Sequence, residues 1–472
     1  MKFLFDDASF SFEALRAAGF ANYSGADLGE VLATAQAIPD GDEDSWHREW
    51  KATAERVEEI GRKSLADGHR VSAREALLRA SNYYRTAEFY RRDDPQRDPE
   101  VTVLSARSRD TFVTAMALFE FGFERVSIPY QRTTLPGYLY RVDDSGRARP
   151  TIIYNNGFDS TLEESYFAIA AAALARGYNV LAFDGPGQGG ALREQGLAFR
   201  PDWEAVIGPV IDYALTRPEI ADDRIILFGY SMGGYLVARA AAFDSRVAAL
   251  ILDDGIYDFY AAVAKAMPPF LREWIEQGKD DVAMPVMQLL MAVNTEVRWA
   301  LRNGKWVMGV DSIVDVPRAF KAYTLAGVAD RITAPALVLD PDNDQFLKGE
   351  PQRAAAAMIN ADTTLVTLKE SEGAGEHCHV GAMSRLHQTI FDWLDRQSGG
   401  TADAAAAADV ALQEQVALGF RQATPNAVRL TNFQRVGTAL LDHRALPAHL
   451  LGALLALHAG AATLAVRVEK HR

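Results

Sequence analysis

Residues 224–243 constrain this chain more than any other stretch, because they read as a buried strand, a sharp turn with one serine, and a helix. The strand 225–228 is apolar without alternation, which predicts burial on both faces of a parallel sheet. Gly229 and Gly233 flank Ser231 in a G-x-S-x-G pattern, where strand and helix backbones come too close for side chains. This elbow lifts the hydroxyl to the carboxyl end of the sheet, so Ser231 is the predicted nucleophile.

Composition narrows the class of protein. The 472 residues carry a formal net charge of -14, and 49% are hydrophobic, as in an ordinary globular protein. An acidic surface repels phosphate backbones, so no nucleic-acid partner is expected. The single cysteine, Cys378, excludes an intramolecular disulfide and a multi-cysteine zinc site, and we interpret it as an inert filler. Because acidic residues interrupt the N-terminus before an apolar stretch of signal-peptide length, we expect a cytoplasmic protein.

The periodicity of apolar residues divides the chain into predicted domains. Residues 1–118 are expected to form an N-terminal helical domain, with helices within 45–92 and a last helix over 111–121. Strands and helices alternate over 119–256 and 328–397, which predicts an α/β core in two parts, with a mostly parallel sheet flanked by helices. The predicted strands are 124–130, 137–142, 151–154, 179–183, 225–228, 247–252, 335–339 and 364–368.

Two further segments lie inside and after this core. Residues 257–327 are helical and rich in methionine and tryptophan, which predicts a lid insertion whose apolar residues form its own core or face a ligand. Residues 398–472 read as a linker and a C-terminal helical tail. Within the tail, the Ala- and Leu-rich stretch 446–466 contains proline, histidine and glycine. This favours packing on this chain or on a second subunit, as in a homodimer, over a membrane span.

A serine hydroxyl needs a base to take its proton and an acid to orient that base. The loop after strand 335–339 supplies Asp344, which we choose over Asp342 because it stands about five residues beyond the strand. The loop after the last strand supplies His377 as the predicted base, with His379 as the alternative. The chain order Ser231, Asp344, His377 is typical of hydrolases with this elbow.

The oxyanion formed by attack on a carbonyl needs two N–H donors. We predict the main-chain amides of Met232, after the nucleophile, and of Phe158, in the loop after strand 151–154. No metal and no cofactor are expected. The glycine cluster 184–190 lacks the G-x-G-x-x-G spacing of dinucleotide sites, and the predicted ligand is a small-molecule substrate.

The elbow, the acid loop and the histidine loop together resemble the alpha/beta hydrolases. Within them, the motifs at 156–164 (Asn-Gly-Phe-Asp-Ser-Thr-Leu-Glu-Glu), 184–189 (Asp-Gly-Pro-Gly-Gln-Gly) and 229–234 (Gly-Tyr-Ser-Met-Gly-Gly) are similar to one branch. That branch contains 2,6-dihydroxypseudooxynicotine hydrolase and the fungal hydrolases that shorten polyketide chains. The resemblance covers residues 46–393 and leaves the tail outside.

The resemblance implies hydrolysis of a carbon–carbon bond beside a ketone, in a 1,3-diketone or polyketide-like compound. It also implies an additional acid near the oxyanion loop, at Asp159. That residue is equally well placed to cap the helix that begins near Leu162. A carboxylesterase, lactonase or aminopeptidase would use the same triad, and a ligand-binding protein without activity is a further alternative.

Overall fold

Eight strands form one sheet in the computed structural model, which describes residues 2–397. Every predicted strand overlaps one of them. The predicted tail helix at 446–466, with its packing or homodimer role, lies outside the described residues. The strands are β1 (Gly122–Tyr130), β2 (Thr133–Arg141), β3 (Arg149–Asn155), β4 (Asn179–Phe183), β5 (Ile220–Tyr230), β6 (Val247–Asp253), β7 (Ala336–Pro341) and β8 (Thr363–Leu368).

The strand directions place the predicted site at the rim formed by the carboxyl ends of the parallel strands. The order is β1-β2-β4-β3-β5-β6-β7-β8, with antiparallel pairs between β1 and β2 and between β2 and β4. All other neighbours are parallel, which confirms the predicted mostly parallel sheet. Because parallel strands share the direction of their carboxyl ends, the loops after β3 to β8 meet at one rim.

Helices precede the sheet, cover both of its faces and form an insertion after β6. They are α1 (Ala8–Gly19), α2 (Leu28–Gln36), α3 (Glu43–Ala66), α4 (Arg70–Glu88), α5 (Pro99–Met116), α6 (Ala171–Leu174), α7 (Gly189–Gln195), α8 (Glu204–Ala214), α9 (Gly233–Ala241), α10 (Phe259–Ala266), α11 (Pro269–Glu276), α12 (Asp280–Val293), α13 (Thr295–Val307), α14 (Asp315–Phe320), α15 (Glu350–Ala357) and α16 (Met383–Gln397).

Successive strand residues point to opposite faces and build two cores. In β3, Ile153 belongs to the core that also holds Leu236 of α9, whereas Ile152 belongs to the core that holds Leu386 of α16. Phe112 of α5 joins the second core, so the N-terminal helices pack directly on the sheet. This explains why the strands read as continuous apolar runs.

The N-terminal region is helical as predicted, but two element boundaries differ. Helices α1 and α2 precede residue 45, where helices were first expected. The last helix, α5, spans Pro99–Met116 rather than 111–121. Asp98 caps α5 by accepting the N–H of Glu100, and Pro99 occupies the first turn, so a local start signal sets this boundary.

The insertion after β6 is helical and comprises α10–α14. Some of its apolar residues form a core of its own, which is one of the two roles considered above, and others pack on the N-terminal helices. Leu271, Ile275 and Met287 form a core within the insertion. Trp299 instead stacks on Phe89 at the end of α4, with ring centroids 4.4 Å apart. The lid therefore packs on the N-terminal helices. In residues 2–397, no helix is long and apolar enough to cross a membrane.

Candidate active site

The elbow after β5 holds Ser231 in the left-handed backbone region, with φ of 57°. A Cβ on Gly229 would lie 2.1 Å from the carbonyl oxygen of Gly233, so a side chain does not fit there. The Ser231 N–H donates to the carbonyl oxygen of Asp253, which fixes the elbow to the end of β6. The G-x-S-x-G pattern therefore forms the predicted sharp turn at Ser231.

His377 joins the nucleophile to the acid. Its Nε2 lies 2.8 Å from Ser231 Oγ, and its Nδ1 lies 3.0 Å from Asp344 Oδ2. The other oxygen of Asp344 accepts the N–H groups of Phe346 and Leu347 at 2.7 Å and 3.1 Å. The structure therefore brings the three predicted residues together in hydrogen-bonded sequence at the rim of the sheet.

Asp254 contacts the same imidazole and was missed by the sequence analysis. Its side chain is fully buried, and its Oδ2 lies 2.8 Å from His377 Nδ1, so this nitrogen faces two carboxyl groups, Asp254 and Asp344. Asp254 directly follows β6, which lies between β5 and β7. A carboxylate at the carboxyl end of an apolar parallel strand was the available signal.

The two carboxyl groups differ in pKa. Burial would raise the pKa of Asp344, but His377 and the N–H of Phe346 lower it to about 2. Burial raises the pKa of Asp254 to about 7; His377 opposes this effect and the charge of Asp344 adds to it. Burial disfavours the imidazolium of His377, yet Cys378 and the carboxylates of Asp344 and Asp254 outweigh burial and raise its pKa. Asp344 is therefore the permanent anion of the site.

His379, the alternative base, is held away from the nucleophile. Its Nδ1 lies 2.7 Å from the carbonyl oxygen of Ala374, so Nδ1 carries the proton, and Nε2 lies 3.3 Å from Asp253 Oδ1. Burial lowers the pKa of His379 to about 4 and raises that of Asp253 well above its usual range. Burial therefore disfavours the charged form of each group, and the contact between them is structural.

Cys378 and its neighbours include atoms of the kinds that bind metals. Two groups of three residues have ligand atoms within 4.8 Å of one another. The first group is Asp254, His377 and Cys378, and the second is Asp253, Asp254 and His379. A metal on His377 would take the nitrogen lone pair that must remove the serine proton. Burial raises the pKa of the Cys378 thiol, which disfavours the thiolate that metals prefer. The arrangement therefore suits serine chemistry better than a metal centre.

The loop after β3 passes directly over the nucleophile. A Cβ on Gly157 would lie 2.8 Å from Ser231 Cβ. The next residue, Phe158, and the residue after the serine, Met232, thus stand on the two backbone segments that meet at the hydroxyl. Gln188 holds the loop by donating from Nε2 to the carbonyl oxygens of Asn156 at 2.6 Å and Gly157 at 3.1 Å.

The glycine cluster after β4 supports this loop, residues 156–159, which we call the oxyanion loop after its predicted role. Gln188 Oε1 accepts the Gly185 N–H at 2.9 Å, which closes the turn around the side chain. Asp184 accepts Asn156 Nδ2 at 2.9 Å and the Gly190 N–H at 2.8 Å. Burial raises the pKa of Asp184 to about 7. The motif therefore positions the neighbouring loop.

Asp159 is anchored by the N-terminal helices. Its Oδ2 lies 2.7 Å from Arg16 Nη1 of α1 and 3.5 Å from Arg85 Nη2 of α4. Burial would raise the pKa of Asp159, but these two guanidinium groups lower it. The cap of the following 3-10 helix is Thr161, which forms a capping box with Glu164, so Asp159 is not the helix cap.

Aromatic side chains from the lid and from the segment between α7 and α8 surround Phe158. Its ring lies 6.3 Å from Phe199, 5.9 Å from Phe320 and 6.4 Å from Trp299, measured between centroids. The first neighbour follows the glycine cluster, and the other two belong to lid helices α14 and α13. The lid and the oxyanion loop therefore share one packed cluster above the sheet.

Known proteins match both the sequence and the fold. The model for the alpha/beta hydrolase family matches residues 156–389. Hydrolase LUC6 from a Fusarium species is 37% identical over 415 residues, which cover 84% of this chain and 98% of LUC6. The chain belongs to the alpha/beta hydrolase family.

This alpha/beta hydrolase is similar to 20-hydroxy-prefusarin hydrolase FUS2 from Gibberella moniliformis, with 36% identity over 82% of this chain and 96% of FUS2. The crystal structure of 2,6-dihydroxy-pseudo-oxynicotine hydrolase shares its fold, with a TM-score of 0.65 and 23% identity over 81% of this chain and 97% of that one. The predicted family, fold class and hydrolase activity are confirmed.

Proposed function

We propose that this protein is a serine hydrolase that forms an acyl-enzyme on Ser231, with His377 as the base and Asp344 as the group that orients it. The observation that carries the proposal is the unbroken hydrogen-bond sequence from the Ser231 hydroxyl through both nitrogens of His377 to Asp344. A hydroxyl is a weak nucleophile until an oriented imidazole accepts its proton, and this geometry supplies that imidazole.

The reaction begins when Ser231 Oγ attacks the carbonyl carbon of the substrate and His377 Nε2 takes the hydroxyl proton. The carbonyl oxygen becomes an oxyanion, which the N–H groups of Phe158 and Met232 stabilise. Collapse of this intermediate expels the leaving group, and His377 returns the proton to it. Water then attacks the ester on Ser231 with the same imidazole as base, and the acid product leaves.

The leaving group in this proposal is a carbon atom beside a second ketone, as in a 1,3-diketone or polyketide-like compound. The electron pair of the broken bond stays on that carbon as an enolate, which His377 protonates. Asp159 is not the acid that protonates the enolate in this proposal. Arg16 and Arg85 lower its pKa and keep it from carrying a proton, so His377 is the acid. The resemblance of the loops at 157–161 and 184–189 to the carbon–carbon hydrolase branch supports the carbon leaving group.

The substrate is a small carbonyl metabolite. One relative is named for acting on 20-hydroxy-prefusarin, and this chain covers 96% of that protein, which supports a ligand of comparable kind. The reaction needs no cofactor, since every proton transfer uses His377. We place the enzyme in the cytoplasm, because a sequence with Cys378 as its single cysteine uses no disulfide.

Two experiments test the proposal. A fluorophosphonate probe should label the full-length protein and the exposed-serine control Ser245→Ala, but not Ser231→Ala. The same three proteins are then assayed with benzoylacetone, an aryl ester, a lactone and an aminoacyl anilide. Cleavage of benzoylacetone to two products by wild type and Ser245→Ala, and its loss in Ser231→Ala, is the expected result.

Other results point to the alternatives. Turnover of esters or lactones without benzoylacetone would make the protein a carboxylesterase or lactonase with the same nucleophile. Turnover of the anilide alone would make it an aminopeptidase. Folded protein that the probe does not label, and that turns over none of the four compounds, would contradict the serine hydrolase and favour a non-catalytic ligand-binding protein.

A further inference from the structure

A small cavity adjoins the oxyanion loop on the side away from β6. It lies between Phe158 and Asp159 of that loop, the start of α7 and the lid helix α13, and it encloses about 10 Å³. This volume holds one water-sized group. Its polar walls include Arg92, Arg193 and Asn303, which come from the N-terminal region, the sheet region and the lid. The other polar residues of the walls are Asp159, Ser160 and Gln188.

The cavity walls contain buried donors with no acceptor. Asn303 is 1% exposed, and its Oδ1 accepts Arg92 Nε at 3.0 Å. This bond leaves Asn303 Nδ2 without a partner among residues 2–397, and the buried Nε of Arg193 likewise has none there. Buried N–H donors are nearly always paired in folded proteins, so two of them beside one cavity indicate a missing acceptor.

The guanidinium groups in these walls favour a hydrogen-bond acceptor. Arg92 Nη1 and Arg193 Nη2 both donate to the carboxylate of Glu88, at 2.9 Å and 2.8 Å. Both guanidinium groups also lie over the ring of Trp306, at 5.3 Å and 5.1 Å from its centroid, which fixes their planes. Asp159 also lines the cavity, and it shares Arg16 and Arg85 with Glu13 and Glu164.

We propose that this cavity, with Arg193, Asn303 and Arg92 as its donors, is a subsite for the second carbonyl oxygen of a 1,3-dicarbonyl substrate. The inference rests on the proposed function and deepens it. The oxygen enters as a ketone or enol and carries the enolate charge when the carbon–carbon bond breaks. An acceptor that becomes more negative during the reaction gains most from donors of this kind.

The electron balance follows from the acylation step. Ser231 Oγ bonds to the first carbonyl carbon, and the bond from that carbon to the central carbon breaks. The electron pair forms the double bond of an enolate, whose charge rests on the oxygen in the subsite. His377, protonated by the serine hydroxyl, then gives its proton to the central carbon, and the released product is a ketone.

The first test measures binding without turnover. Benzoylacetone is added to full-length Ser231→Ala, and the ultraviolet band of its enolate is followed against pH. Bound benzoylacetone should ionise at a pH lower by about one unit or more than free benzoylacetone, because an opposite charge within a few ångströms favours the ionised form. The double variant Ser231→Ala/Arg193→Gln should lose this shift.

A matched control separates the subsite from a general loss of charge. Arg302 lies beside Asn303 in α13, pairs with Asp93 and does not line the cavity. Ser231→Ala/Arg302→Gln should therefore keep the full shift. No shift in Ser231→Ala up to the solubility limit of benzoylacetone, or equal shifts in both double variants, would overturn the subsite.

The second test measures specificity in proteins that keep Ser231. Arg193→Gln and Asn303→Leu should lower the ratio of kcat/KM for benzoylacetone to kcat/KM for phenyl benzoate about 10²-fold, as removal of an oxyanion donor does. Phenyl benzoate has no second carbonyl group. Arg302→Gln should leave the ratio unchanged. An unchanged ratio in the two subsite variants would overturn the inference.

The two proposals fail in different ways. If wild type does not cleave benzoylacetone but Ser231→Ala still lowers the pH of its ionisation, the carbon–carbon reaction is wrong and the subsite stands. If wild type cleaves benzoylacetone while Ser231→Ala shows no shift, the reaction stands and the subsite is wrong.

Discussion

At the scale of single residues, the site depends on the protonation of His377. Nε2 faces Ser231, while Nδ1 lies 2.8 Å from Asp254 and 3.0 Å from Asp344. Two adjacent carboxyl groups resist ionising together, which agrees with a pKa of about 7 for Asp254 and about 2 for Asp344. His377 therefore has one permanent anion and one group that titrates near neutral pH.

Replacing Asp254 should move the pH dependence of the reaction. The imidazolium of His377 cannot accept the serine proton, so kcat/KM rises with pH through the pKa of His377. Nearby carboxylates raise this pKa, and Asp254→Asn removes one of them. The rising limb of kcat/KM against pH should therefore move to lower pH in Asp254→Asn, as measured with any turned-over substrate. An unmoved limb would contradict the contact.

The two acids should also differ in their effect on rate. Asp344→Asn should lower kcat by about 10² to 10⁴-fold, because the group that stays ionised orients the imidazole. Asp254 can then ionise and replace part of this function. The double variant Asp254→Asn/Asp344→Asn should lose at least about tenfold more than Asp344→Asn alone. Equal rates in these two variants would show that Asp254 has no such function.

At the scale of secondary-structure elements, the oxyanion loop is held from three directions. The elbow packs beneath Gly157, the glycine cluster bonds its carbonyls through Gln188, and helices α1 and α4 pair with Asp159 through Arg16 and Arg85. Each element comes from a distant part of the sequence. Contacts from these separate regions therefore fix the position of the loop. Stabilisation of an oxyanion requires N–H donors that are held in place in this way.

The glycine cluster can be tested through its one long side chain. Gln188→Leu removes the donors to Asn156 and Gly157, so the oxyanion loop loses its fixed position and kcat/KM should fall about 10 to 10²-fold. Gln195→Leu is the matched control, since this exposed glutamine in α7 bonds Thr133 instead. Equal losses in both variants would show that the effect is not specific to the loop.

Helix α1 can be tested through its buried arginine. Arg16→Met leaves Asp159 and Glu164 with less positive charge in a dry environment, so the free energy of unfolding should fall by about 3–5 kcal/mol. The control Arg62→Met breaks a half-exposed pair with Glu58 and should change it by less than about 1 kcal/mol. Urea unfolding measures both. A small loss in Arg16→Met would contradict the anchoring role of α1.

Local patterns made much of the fold and site predictable. The strands, the elbow at Ser231 and the chain order of Asp344 and His377 depend on residue types within a few positions of one another. Contacts between distant residues were not predictable in this way. Arg16 meets Asp159 across 143 positions, and the Asp254 carboxyl group meets His377 only after the sheet has formed. A local pattern marks Asp254 as a residue at the rim of the sheet, but it does not identify the distant partner of either residue.

At the scale of the whole molecule, the site lies between the sheet rim and two helical regions that bind each other. Arg298 of the lid pairs with Glu43 of α3 at 2.7 Å, and Trp299 Nε1 donates to the Phe89 carbonyl at 2.9 Å. These contacts keep the lid against the N-terminal helices. At the rim of the sheet, the carboxyl groups of Asp253 and Asp254 are fully buried.

Enclosure should make overall stability depend on pH through Asp253. Burial raises its pKa in the folded protein, so the folded state holds a proton that the unfolded state releases above about pH 4. The free energy of unfolding therefore falls as pH rises above this value, with a slope of up to about 1.4 kcal/mol per pH unit.

Asp253→Asn keeps the shape and cannot ionise, so its free energy of unfolding should fall less steeply than that of wild type between pH 5 and 8. Urea unfolding at several pH values measures the slope. Asp223, whose side chain is 74% exposed, provides the control, and Asp223→Asn should have the slope of wild type. Parallel slopes for all three proteins would mean that Asp253 is ionised in the fold. Its pairing with a neutral His379 would then be wrong, because a buried carboxylate there would need the imidazolium as its partner.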